Sequence, residues 1–210
     1  MQEAAIYPVR FEVNFPDDPP LNKILNFPFF VGTVIKMILA LPHLIIISLL
    51  QYVLFIPWLI GPFAILFTGT YPRGLYDMHG GIYRWMARTY AYVFSLTDQY
   101  PPFSFNEEEG DTSRTLFDYP QTLSRWLNFP IFGFLVKALA VIPHIVVLVV
   151  GAILSIIIVA IAQFFILFTD EFPRGMFDIV VGTFQLQWRI YAWVFSMTDA
   201  YPPLTLSPRS

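Results

Sequence analysis

From Pro28 to Pro203 the chain states one pattern twice. Phe67-Thr68, Tyr71-Pro72-Arg73-Gly74, Asp77, Arg88, Tyr90, Phe94, Thr97-Asp98 and Tyr100-Pro101-Pro102 return as Phe168-Thr169, Phe172-Pro173-Arg174-Gly175, Asp178, Arg189, Tyr191, Phe195, Thr198-Asp199 and Tyr201-Pro202-Pro203. The offset is constant: 174 − 73 = 101 and 203 − 102 = 101. Self-similarity of this length reads as two copies of one structural unit, and each copy carries an apolar run of membrane-spanning length. The expected organisation is unit one over 1–105, an acidic linker over 106–113 and unit two over 114–210.

Composition supports the membrane reading. The 210 residues are 56% apolar and 18% aromatic, only 13% are charged, and mean hydropathy is +0.60. A soluble domain carries about a quarter charged residues. The net charge of −3 argues against nucleic acid as a partner, which requires clustered Lys and Arg. No cysteine is present, which excludes disulfides, zinc–thiolate sites, iron–sulfur clusters and thiol nucleophiles. Met1–Ala5 lacks the basic-then-apolar form of a signal peptide, so the first apolar helix is expected to target the chain itself.

Residues 7–15 alternate, Tyr7, Val9, Phe11, Val13 and Phe15 against Pro8, Arg10, Glu12 and Asn14, a strand with one greasy face. Asp17-Asp18-Pro19-Pro20 breaks it. Thr115, Phe117 and Tyr119 alternate likewise against Arg114, Leu116 and Asp118. Phe27–Phe67 and Phe129–Phe168 are nearly continuous grease, interrupted by Lys36 and Pro42-His43 and by Lys137 and Pro143-His144. A helix of about 25 residues after each His can cross a bilayer. The shorter stretch before each Pro reads as an interfacial or re-entrant helix whose lysine snorkels toward headgroups. After each Pro-Arg-Gly turn a third helix is expected near 75–97 and 176–198. It carries a polar stripe, Asp77, Gly81, Arg84 and Arg88, then Asp178, Gly182, Gln185 and Arg189, on an aromatic surface. It is read either as an amphipathic helix lying on the membrane or as a spanning helix hiding its Arg stripe against the other repeat. Phe103-Ser104-Phe105 and Leu204-Thr205-Leu206 are expected as two more short strands, giving a four-piece sheet at the membrane surface.

If all four strands lie on one side, each repeat crosses an even number of times. The charges agree. With both later helices spanning, Arg10, Lys23, Lys36, Arg114, Arg125, Lys137 and Arg209 share the side of the termini, against Arg73 and Arg174, as the positive-inside rule expects. Placing Arg88 and Arg189 near the membrane interior opposes this, so two and four crossings both stay open. The expected fold is an all-α membrane protein of tandem units with short β-strands at the surface.

Tyr7-Pro8-Val9-Arg10, Pro42-His43, Ile65-Leu66-Phe67-Thr68, Tyr71-Pro72-Arg73-Gly74 and Thr97-Asp98-Gln99-Tyr100-Pro101-Pro102 together resemble a family of prokaryotic integral membrane proteins catalogued only as a domain of unknown function. The chain departs from that pattern in lacking Tyr-Pro-x-Arg before unit two and in Phe172, which replaces the Tyr. The resemblance implies a multi-pass protein of the prokaryotic cytoplasmic membrane and brings no activity with it.

His43 and His144 are the candidate cofactor ligands. With the units related by a two-fold along the membrane normal, two imidazoles at equal depth suit a haem or a chlorin. The plainer reading is a helix cap that reaches headgroups, with no cofactor. His79 has Val180 as its counterpart and belongs to no repeated site. Arg73 with Asp77 and Arg174 with Asp178 read as i, i+4 ion pairs or lipid-phosphate contacts. Lys36, Lys137, Arg88 and Arg189 take the same lipid-headgroup or structural role. The Glu107–Glu109 loop reads as solvent exposure rather than a metal site. No catalytic set assembles from these residues. The first expectation is a non-enzymatic accessory or scaffold subunit whose partners are membrane lipids, other membrane protein subunits or itself. The alternatives are a small tandem-repeat transporter or channel and a haem- or pigment-binding subunit.

Overall fold

A computed structural model describes residues 7–17 and 20–206. The expectations placed on Met1–Ala5, Asp18-Pro19 and Arg209 lie outside the described residues. The chain runs β1(Val9–Val13), α1(Val31–Leu39), α2(Leu41–Val53), α3(Phe55–Thr68), α4(Arg73–Val93), β2(Ser113–Phe117), α5(Phe132–Ala140), α6(Ile142–Thr169) and α7(Arg174–Val194). It is mostly helical, with one small two-stranded sheet. The segments Leu41–Thr68 and Ile142–Thr169, 28 residues each, are long and apolar enough to cross a membrane.

Helix bounds in the two halves coincide at the 101-residue offset, α1 with α5, α2–α3 with α6, α4 with α7. The one difference has a local cause. Pro57 and Pro62 lack the N–H that continues a helical ladder, and the first long segment is divided at Leu54. Their counterparts are Ile158 and Gln163, and α6 runs unbroken. The helices α4 and α7 stop four residues before the expected ends. Ser95 and Ser196 take positive φ, 59° and 64°, and Leu96 N donates to Ala91 O as Met197 N does to Ala192 O. This is a Schellman ending with serine in the place glycine usually holds.

The central elements are α4 and α7, against the expectation of helices lying at the headgroup boundary. Both are buried on nearly every face. They pack antiparallel: Tyr83 meets Tyr191 at 5.8 Å, Tyr90 meets Phe184 at 6.2 Å and His79 meets Phe195 at 5.9 Å, so residues early on one helix touch residues late on the other. The aromatic density expected to anchor in headgroups instead fills this interface. The Arg stripe meets strand and loop rather than the facing helix: Arg84 reaches β2, Arg88 reaches Asp111 and Arg189 reaches β1.

β1 and β2 pair antiparallel, with Phe11 opposite Thr115. Their alternation is as the sequence implies: Val9, Phe11, Ser113, Thr115 and Phe117 turn inward. Phe103–Phe105 and Leu204–Leu206 add no strands. They lie across the glycines of the polar stripe instead. A Cβ on Gly81 would meet Phe105 at 2.8 Å, and one on Gly182 would fall on the Leu206 backbone. The halves are interlocked, because β1 packs on α7 and β2 on α4. The linker expected to be solvated is so at Asn106–Gly110; Asp111 and Ser113 are buried.

Candidate functional site

The recurring polar residues form clusters at the two ends of the helical layer. Lys36 is fully buried and places Nζ 2.6 Å from Asp98 Oδ1 and 3.1 Å from Thr97 O. Asp98 also accepts from Asn26 Nδ2 at 2.9 Å and from the Asn22 amide. Lys137, equally buried, donates to Asn128 Oδ1 at 2.5 Å and Ser196 Oγ at 3.2 Å. Asp199 accepts from Asn128 Nδ2 at 2.7 Å and the Ser124 amide at 2.5 Å. Desolvation lowers the Lys36 ammonium against the opposing pull of Asp98, and lowers Lys137 to about 7 against that of Asp199. The snorkelling expectation is therefore corrected. The exposed face of α1 is Val31, Val34, Met37 and Ile38, so the lysine turns to the carboxylate that the Schellman ending returns to it. Lys36 and Lys137 likewise leave the positive-inside tally, which needs charges at a surface. A fixed spacing, 98 − 36 = 62 and 199 − 137 = 62, was the sequence signal for these partners.

The histidines are used locally, each by its own half. His43 Nδ1 accepts from Trp85 Nε1 at 2.8 Å, and its ring stacks on Phe103 with centroids 3.8 Å apart. His144 Nε2 donates to Pro202 O at 2.8 Å, with Tyr201 against the ring edge. Among the described residues they share no hydrogen-bond or ring partner. Because α4 and α7 are antiparallel, His43 and His144 sit at opposite ends of the helical layer, so the two imidazoles are not brought together as a ligand pair. Both are buried, so neither imidazole reaches out to headgroups. His79 Nδ1 lies 3.2 Å from the Tyr71 hydroxyl, which donates to Pro57 O at 3.1 Å.

The arginines bind helix to cover. Arg88 pairs with Asp111 at 3.0 Å, both buried, and donates to Asn106 O at 2.5 Å and to Ser104 O. Arg189 donates to Val9 O at 3.3 Å and lies over the Tyr7 ring at 4.8 Å. Gln185 donates to Val9 O at 3.1 Å and accepts from the Phe11 amide, while Arg84 donates to Thr115 O at 3.2 Å. Arg73 pairs with Asp77 at 3.0 Å in the open, as expected, and covers the Tyr119 ring at 4.6 Å. Arg174 does not repeat the i, i+4 pair with Asp178. It covers the Phe15 ring at 4.0 Å and reaches Asp17 at 3.5 Å. Phe15 stands to β1 as Tyr119 stands to β2, and only the first is followed by an acid two residues on. Among the described residues no cluster of three metal-ligating side chains occurs.

Two apolar clefts, of about 360 and 390 Å³, flank the α4–α7 contact. Tyr90 and Tyr191 line both; Ser155 and Thr183 add polar groups to one, Gln51 to the other. Neither holds a charged side chain. Residues 31–104, 74 of 210, match the family described as Domain of unknown function (DUF4389). No curated protein and no solved structure matches the chain.

Proposed function

We propose that this is a non-catalytic protein of the prokaryotic cell membrane, built by tandem duplication of one strand-and-helices unit, that serves as an accessory or scaffold subunit. One observation carries the reading. Six ionisable side chains that recur between the halves, Lys36 and Lys137, Asp98 and Asp199, Arg88 and Arg189, tie one element to another, and none of them lines either apolar cleft beside the α4–α7 contact. Meanwhile the outer helices present aliphatic and aromatic surface, from Leu49 and Phe63 to Val146 and Phe168. Such a molecule offers lipid and neighbouring subunits a shaped apolar exterior. Its partners are membrane lipids together with other membrane subunits or a further copy of itself.

The test is purification from the cells' own membranes in mild detergent, followed by mass spectrometry and a mass measurement of the particle. Co-purification in fixed ratio with another membrane protein, or a defined oligomer, is expected. A lone monomer, or a folded chain left in the supernatant after ultracentrifugation without detergent, overturns the proposal.

A further inference from the structure

The two 28-residue apolar segments suggest helices standing across a bilayer, and the polar cover of the inner helices contradicts that orientation. Extended chain lies along the full length of both inner helices. On α7, Tyr7 reaches Ala200, Val9 reaches Arg189, Phe11 reaches Gln185, Phe15 reaches Phe177 and Asp17 reaches Arg174. On α4, Thr112 reaches Thr97, Thr115 reaches Arg84, Asp118 reaches Tyr76 and Tyr119 reaches Tyr71. The outer helices run along the same direction. His144 meets Pro202 and Gly151 meets Thr183, while His43 meets Trp85 and Pro57 meets Tyr71.

The sheet and its loop therefore lie over the middle of the helices. Arg84 and Gln185 are each the twelfth residue of a 21-residue helix. Above Arg84 stands Glu107 at 3.6 Å, within the exposed run Glu107–Glu109. Flanking the central Phe11–Thr115 pair on the outer face are Arg10, Glu12 and Arg114. With the helices upright, these charges would meet lipid at the bilayer midplane, and hydrocarbon does not admit them. The opposite side of α4, about half a turn from Arg84, carries Met86 and Tyr90 and opens on the apolar clefts.

We infer that the long helices lie parallel to the membrane plane, immersed in the hydrocarbon of one leaflet, with the sheet and acidic loop facing water on that same side. The inference rests on the membrane reading above and replaces a multi-pass path with none: zero crossings per half still keeps all strand pieces on one side. The dimensions suit it. A helix is about 10–12 Å across and α6 about 42 Å long, while one leaflet's hydrocarbon is about half of ~30 Å. Along α6 the exposed residues Val146, Ile157 and Phe168 are 60%, 49% and 77% accessible. Lying flat brings all three to one depth.

A chain without cysteine permits a direct test. Glu108→Cys, Arg125→Cys and Glu171→Cys each place one thiol at an exposed position: over the middle of α4, and at the start and end of α6. In sealed vesicles of either orientation, an impermeant maleimide is expected to label all three from one side and none from the other. Labelling of Arg125→Cys and Glu171→Cys from opposite sides overturns the orientation and leaves the membrane reading intact. Recovery of the unaltered chain in a detergent-free supernatant overturns both. As a second readout, bimane on Val146→Cys, Ile157→Cys and Phe168→Cys should be quenched most by the same acyl-chain bromine position. A maximum for Ile157→Cys at a deeper bromine than the other two overturns the inference.

Discussion

Tyr71 and His79 show how a departure between the halves is balanced by a second one. The hydroxyl and the imidazole Nδ1 hydrogen-bond each other in the interior, and the other half replaces them with Phe172 and Val180, both buried. A single change strands a buried polar group at a cost of about 1–3 kcal/mol, whereas changing both to apolar side chains is close to neutral. Tyr71→Phe is thus expected to destabilise by that amount and His79→Val to restore most of it, read as a double-mutant cycle by denaturation in detergent. Lys137 gives a pH prediction. Burial lowers its folded value to about 7 from 10.5, so the unfolded chain binds more protons between those values. Stability then rises as pH climbs through that window, and the full penalty stands below it. Lys137→Met should reduce the slope of melting temperature against pH without abolishing it, because Lys36 is shifted in the same direction.

Elements follow the local chemistry closely. Proline spacing decides that one long segment is divided and its counterpart continuous. Pro57→Ile is expected to fuse α2 with α3, seen as increased hydrogen-exchange protection around Leu54. The stripe glycines answer to tertiary demand instead. Gly182 admits the Leu206 backbone where any side chain would sit, so Gly182→Ala should expel residues 203–206 from the helix. Faster amide exchange confined to that tail is the expected signature. Gly81→Ala should do less, because its nearest neighbour is Phe105 Cβ at 2.8 Å rather than a backbone lying on the added carbon, so a small shift of the Phe105 segment admits the methyl.

At the scale of the molecule, each strand rests on the other half's inner helix. A fragment of residues 114–210 lacks β1 and leaves Gln185 and Arg189 without their strand partners. It is expected to aggregate when produced alone and to give a monodisperse particle when co-produced with residues 1–113, checked by size-exclusion chromatography in detergent.

Much of this was legible in the residues. The 101-residue offset placed every helix pair, alternation placed β1 and β2, and Pro-Arg-Gly placed the turn into α4 and α7. Those signals are local, a periodicity or a fixed dihedral, and survive without neighbours. Three matters were settled only by packing: that the aromatic helices are central, that Lys36 and Lys137 turn inward, and that His43 and His144 lie apart. Each depends on how the two halves meet. The residues that recur at the 101-residue offset carry no mark of whether the two halves sit parallel or antiparallel. The contacts of Tyr83 with Tyr191 and Tyr90 with Phe184 choose antiparallel, and that choice separates the histidines and lays the charged sheet along the helices.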